Sequence, residues 1–173
     1  MARVLLNITA LALVCFQLLA CTDGGTDYRS SCGTVVDGSL RNPVDANRGE
    51  YVEIVSAPDA TLVVVRASDH GEATLVLLHG LSYKMTVEER LKAAAFIESL
   101  GPEAVFFRAE ENCTVSEGGL DNLIPGQLFA VDGRNFSEEL LAAGLAEIDS
   151  TNRCKSRLLE NCYTALFIEG EDL

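Results

Sequence analysis

The chain has 173 residues with 13 basic and 26 acidic side chains, a formal net charge of −13. That is the length of one domain, and an acidic balance of this size excludes the broad basic surface on which phosphate-backbone binding draws. Hydrophobic residues make up 48% of the chain and aromatics only 6%, enough apolar material for a sizeable core.

Taken in order, the chain opens on a stretch to be set apart from the fold. Arg3 precedes an apolar run over residues 4–20 that is interrupted by Asn7, Thr9 and Gln17. The run is short for a membrane span and reads as a secretory signal. It ends in Leu18-Leu19-Ala20-Cys21, which resembles a bacterial lipobox. The resemblance implies that Cys21 is lipidated and that the protein is exported and lipid-anchored at the bacterial cell envelope, on the outer membrane or the outer leaflet, with its membrane partner reached through lipid. An ordinary cleaved signal with a chance cysteine is the alternative. Removing 20 of the 173 residues leaves 153, and losing Arg3 takes the net charge from −13 to −14. Residues 21–45, small and polar with Gly24-Gly25, are expected to form the lipidated cysteine and a flexible tether. The ordered domain is expected over 46–168, with an acidic tail over 169–173.

Within the domain, residues 51–55 alternate as a strand, Ala57-Pro58-Asp59-Ala60 turns, and the β-branched run 61–65 is its hairpin partner. Residues 73–81 form a third, nearly continuous apolar strand. Thr86 and Glu89 make a capping box for a helix with Leu91, Ala94, Ala95 and Leu100 facing inward, stopped by Gly101-Pro102. Residues 104–108 form a fourth strand, 109–125 a long polar loop, and 127–131 a fifth strand. Asp132-Gly133 then turns, Asn135 with Glu138 caps a helix carrying Leu140 and Leu141, and Gly144 stops it. A last helix is expected over 151–167. His79 on its buried-looking strand reads as a hydrogen-bonded histidine of the core or barrel end.

Six cysteines occur. Cys15 leaves with the signal and Cys21 is spoken for, so Cys32, Cys113, Cys154 and Cys162 remain as an even set in an exported protein. A zinc site is the rival, but the set lacks close C-x-x-C pairs. On one helix over 151–167, Cys154 and Cys162 lie about 12 Å apart along the axis, beyond the ~7 Å reach of a disulfide. One therefore pairs with Cys32 and the other with Cys113, in either of two connectivities.

Two stretches carry a resemblance to a known family. Residues 127–148, with the Asp132-Gly133 turn followed by Glu139-Leu140-Leu141 and Gly144-Leu145-Ala146, and the strand Val76-Leu77-Leu78-His79-Gly80-Leu81, resemble the thermonuclease (staphylococcal nuclease-like) family. The resemblance covers residues 51–163. It implies an α+β fold, an OB-type five-stranded β-barrel with about three α-helices; periodicity alone allows other α+β arrangements.

In that family a calcium ion held by aspartates, a glutamate acting on water and two arginines at the phosphate hydrolyse phosphodiesters, chemistry that needs hard oxygen ligands, a carboxylate base and cationic donors. Matched residue by residue, Thr61 agrees with the family. Ala60 stands in place of a metal-binding aspartate, Leu77 of the first arginine, Ser82 of an aspartate, Met85 of the glutamate and Ile124 of the second arginine. The resemblance therefore implies a non-catalytic domain, without cofactor, that acts as a binding or interaction module for an envelope or extracellular protein or other ligand. The alternative is a membrane-anchored, calcium-dependent nuclease of DNA or RNA with a rearranged site, for which Glu110, Glu111, Glu117 and Asp121 are the acidic candidates. Nucleic-acid binding without catalysis is a third reading; net charge disfavours it, and Phe106, Phe107 and Arg108 supply its single aromatic and basic cluster.

Overall fold

The computed structural model describes residues 28–32, 35–36, 49–67, 71–83, 86–109, 112–151 and 153–168. The stretch expected as a signal, Cys21, most of the expected tether, Met85 and the expected acidic tail lie outside the described residues. The elements run β1 (Tyr28–Arg29), β2 (Val35–Val36), β3 (Glu50–Asp59), β4 (Leu62–Ala67), β5 (Ala73–Leu78), β6 (Leu81–Tyr83), α1 (Val87–Ser99) and β7 (Glu103–Arg108). There follow β8 (Val115–Glu117), β9 (Leu120–Ala130), α2 (Phe136–Ala142), β10 (Ala146–Ile148), a 3₁₀ turn (Arg153–Lys155) and α3 (Arg157–Phe167).

β-Branched and apolar residues at alternate positions make β3, β4 and β5 an antiparallel meander, and β3 pairs on its other edge with β7. β7 pairs antiparallel with β9. β9 then reaches β5 in parallel, with Val76 opposite Ile124, Leu77 opposite Pro125 and Leu78 opposite Gly126. That last pairing closes five strands into a mixed barrel in the cyclic order β3-β4-β5-β9-β7, an α+β fold of the OB and staphylococcal nuclease-like kind. β8 continues the sheet beyond β9, while β6 with β10 and β1 with β2 form separate two-stranded ribbons.

Inward positions fill the barrel with Val52, Val63, Val65, Val76, Leu78, Ala104, Leu128 and Ala130, joined by Ala93 and Ile97 of α1, Phe136 and Leu140 of α2, and Leu159 and Tyr163 of α3. Gly126 is required for this filling. A Cβ there would lie 2.1 Å from the Phe106 ring and 2.7 Å from the Phe107 carbonyl oxygen, so the ring seats where only hydrogen is tolerated.

Several local expectations hold. Thr86 and Glu89 complete the reciprocal capping box of α1. The Leu145 N–H reaches the Leu140 carbonyl and the Gly144 N–H the Leu141 carbonyl, each at 2.9 Å, which closes α2 as a Schellman stop. Asn135 caps α2 by accepting from the Glu138 N–H at 3.2 Å. The Glu138 carboxylate turns to the N-terminal arm instead, accepting from Ser31 N–H at 2.8 Å and Ser31 Oγ at 2.9 Å.

Others are corrected. β3 continues through Pro58 to Asp59, leaving only Ala60 and Thr61 to turn. The inward face of α1 is Ala93, Ala94, Ile97 and Leu100, while Leu91 is 63% exposed and Ala95 is exposed as well; burial of that face sets the helix rotation, and Arg90, a turn before it, reaches Asp59 Oδ1 with its Nε at 2.9 Å. β5 stops at Leu78, because the chain turns at His79 and Gly80 before β6. Gly80 has φ +84°, and a Cβ on it would press on Tyr163 at 3.0 Å. The stretch expected as a long loop holds β8 and the first half of β9.

The last helix begins only at Arg157, and Cys154 lies before it at φ +46°, a left-handed conformation strained for a residue with a side chain. The disulfides are Cys32–Cys162 and Cys113–Cys154, with Cα separations of 5.7 and 5.8 Å. They tie α3 to the N-terminal arm and the preceding turn to the segment before β8.

Two outcomes follow for urea unfolding of the oxidised protein. The paired changes C32S/C162S and C113S/C154S each lower stability by about 2–4 kcal/mol. Gly126→Ala lowers it by about 1–3 kcal/mol through overpacking against Phe106. A G126A midpoint equal to wild type would show that Phe106 does not seat over residue 126.

Candidate functional site

Three of the positions that the family resemblance singles out lie along the seam formed by β4, β5 and β9. Ala60 is fully buried at the start of the β3–β4 turn, and its N–H donates to Asp59 Oδ1 at 2.6 Å. The Asp59 carboxylate is committed to Arg90. Thr61 follows, its carbonyl accepting from the Leu78 N–H at 2.8 Å.

Leu77 faces out of the barrel and packs with Leu62 and Leu123, flanked by Leu75 and Val115. Strand alternation puts Ile124 on the opposite face, where it walls the barrel interior. Leu77 lies opposite Pro125 across the β5–β9 ladder and packs with Leu123 on the outer face; β9 starts seven residues earlier than the sequence suggests. Ser82 sits on β6 opposite Glu147 of β10. Met85 is outside the described residues. The position that the resemblance compares with a phosphate-clamping arginine is thus an apolar cluster of three leucines flanked by Leu75 and Val115.

Beside this seam stands a polar latch. The Asp149 N–H donates to the Gly80 carbonyl at 3.0 Å, and its carboxylate accepts from Thr151 N–H at 2.9 Å, Thr151 Oγ1 at 2.6 Å and Arg153 Nε at 3.0 Å. Arg153 also reaches Glu117 on β8 at 2.5 Å. His79 Nε2 is 3.4 Å from the Arg153 carbonyl oxygen. The latch joins the β5–β6 turn, β8 and the Cys113–Cys154 bridge. Asp149 and Arg153 went unremarked in the sequence; the Asp-Ser-Thr run at 149–151, which favours a side-chain-closed turn, was the available signal.

Burial is the main influence that holds the His79 imidazole below its usual 6.5, against the opposing pull of the Arg153 carbonyl and the Asp149 charge. Burial also pushes the Asp149 carboxyl upward, but the Thr151 and Arg153 donors outweigh it and hold the group below the usual carboxylate range. For Arg153, burial opposes the charge and the two carboxylates overcome it, raising its pKa.

Among the described residues no three histidine, cysteine, aspartate or glutamate side chains come together to hold a metal. Of the acidic candidates, Glu117 is paired with Arg153 and Asp121 accepts from Ser116 Oγ at 2.6 Å; Glu110 and Glu111 lie outside the described residues. Of the aromatic and basic cluster, Phe106 points into the barrel and Phe107 packs outside with Tyr51, Val105 and Phe129, so the two rings do not form one stacking platform. A concavity of about 230 Å³ lies at the open end of the barrel, between the start of β3 and the end of β7. No family model and no curated protein matches the chain.

Both titrating groups of the latch make stability fall in acid. His79 is kept neutral when folded, so its contribution is complete above 6.5 and is lost as pH drops below that value. Asp149, with its pKa depressed, contributes above the ordinary carboxylate range and loses that contribution as pH falls through its lowered value. The urea midpoint is expected to be flat from about pH 8 to 6.5 and then to decline. His79→Asn should flatten the upper part of the decline and Asp149→Asn the lower part. Unchanged profiles in both variants would contradict the assignment.

Proposed function

We propose that the protein is a thermonuclease-like barrel that has lost nuclease chemistry and works as a lipid-anchored binding module at the bacterial cell envelope. The observation that carries this reading is the Leu62, Leu77 and Leu123 cluster at the position where the family resemblance calls for a cationic clamp. A phosphate gains nothing from three leucines, and a guanidinium restored at Leu77 would enter a site that is 3% exposed, where an unpaired charge is costly. The commitment of Asp59 to Arg90 supports the same reading, since the carboxylate beside Ala60 already has its counter-charge. A net charge of −13 further disfavours nucleic acid as the partner. The partner is instead an envelope or extracellular protein or another ligand, and no cofactor is part of the reading. Two disulfides within the described residues suit an exported protein, in keeping with the lipobox-like Leu18-Leu19-Ala20-Cys21.

A calcium-supplemented assay on single-stranded DNA and RNA tests the loss of chemistry. The purified protein should cleave neither substrate above the buffer control; robust cleavage that a chelator abolishes would favour the tethered nuclease. The anchor is tested by mass spectrometry of protein extracted from a bacterial envelope. A chain starting at Cys21 and carrying acyl and diacylglyceryl mass is expected, whereas an unmodified Cys21 on a processed chain would remove the lipoprotein reading.

A further inference from the structure

The open end of the barrel is built differently from its closed end. Along each strand the inward pleat positions are apolar in the middle: Val52, Val65, Val76, Phe106 and Ile124 wall the cavity, and Val52, Val65 and Val76 are at most 4% exposed. At the mouth the sequence of inward positions turns charged, with Glu50 opening β3, Glu72 just ahead of β5 and Arg108 ending β7. Glu50 lies opposite Phe106 across the β3–β7 ladder, and Arg108 is the next inward position on β7. None of the three has an ion-pair partner among the described residues, although charges of both signs stand on one rim.

We propose that this mouth binds a small zwitterion with an aliphatic tail, a free α-amino acid of the leucine type. Three features select that class together. The cavity of about 230 Å³ is smaller than the ~300–1,000 Å³ that drug-sized ligands occupy, so the ligand has few heavy atoms. Its wall, aliphatic and aromatic apart from Thr74, takes a branched hydrocarbon side chain, which leaves water on entry. The rim then meets both head groups: the Arg108 guanidinium donates to the α-carboxylate in a two-pronged contact, and Glu50 and Glu72 accept from the α-ammonium. Phe106 forms one wall only because Gly126 admits its ring, so the residue that closes the barrel also shapes the cavity. The inference is independent of the lipid anchor and of the loss of nuclease chemistry.

The test is a titration of the isotopically labelled full chain, followed by amide correlation spectra, with three probes: L-leucine, 4-methylpentanoate, which lacks the ammonium, and isoamylamine, which lacks the carboxylate. Leucine should shift the amides of Val52, Val65, Val76 and Ile124 saturably, and each half-ligand should bind at least about tenfold more weakly. R108A should weaken leucine by about tenfold and leave isoamylamine unchanged. The double change E50Q/E72Q should weaken leucine and isoamylamine and leave 4-methylpentanoate unchanged. All three side chains are exposed, so the variants should keep the spectral dispersion of the parent. The proposal is overturned if leucine leaves those amides unmoved, if the three probes bind equally, or if neither variant alters leucine binding.

Discussion

Everything in this fold hangs on the three-residue parallel contact between β5 and β9. The hairpins β3–β4 and β4–β5 form between chain neighbours, whereas β3 reaches β7 with Glu50 opposite Phe106, and Val76, Leu77 and Leu78 reach Ile124, Pro125 and Gly126, each across about fifty positions. Without that contact the sheet is open and its two terminal strands expose their edges. With it, the backbone groups at the seam are matched: the His79 N–H donates to the Gly126 carbonyl and the Leu78 N–H to the Thr61 carbonyl, both at 2.8 Å. The residue types suit the junction. Pro125 has no N–H to donate, and its carbonyl accepts from Ala109 at 3.0 Å; Gly126 lets the Phe106 ring lie against the backbone.

The seam also decides what each side of the barrel offers. Because alternate residues point to opposite faces, Leu77 and Leu123 go outward to a leucine cluster while Val76 and Ile124 go inward to the mouth cavity. The leucine cluster is flanked by Val115 of β8, a strand held by the Glu117–Arg153–Asp149 latch and by the Cys113–Cys154 bridge. These ties lie where the resemblance places phosphodiester chemistry. A surface stitched down by a disulfide and two ion pairs of low exposure is poorly suited to admitting a polynucleotide, while the other pleat of the same strands faces the mouth cavity.

The fold was legible wherever a local signal carried a mechanism. Thr86 with Glu89, Asn135 before α2 and Gly144 after it each satisfy backbone groups within a few residues, so their reading needed no tertiary knowledge. The errors share a different cause. Leu91 fits an inward stripe as well as Ile97 does until Ala93, Ala94, Ile97 and Leu100 are buried together and set the rotation. His79-Gly80 reads as strand until Tyr163, from the far end of the chain, demands the close approach. The run before Arg157 looks helical although Cys154, bonded to Cys113, leaves the helical conformation. The pairing of Cys154 and Cys162 with separate partners was inferred from one long helix and holds for another reason, since Cys154 is off the helix altogether. Register matters at the candidate site too: Leu77 lies opposite Pro125 and packs with Leu123, while Ile124, between those two, points to the other face.

The central claim is that the β4–β5–β9 seam is a closed, apolar joint and not a worn calcium site. A crystal structure of the protein grown with calcium and a short single-stranded oligonucleotide tests this most directly. The account predicts Leu62, Leu77 and Leu123 in mutual contact beside β8, Ile124 facing the barrel mouth, and no ion or phosphate on the outer face. A calcium ion coordinated there by carboxylates, with the leucines parted or the oligonucleotide seated over Leu77, would contradict it.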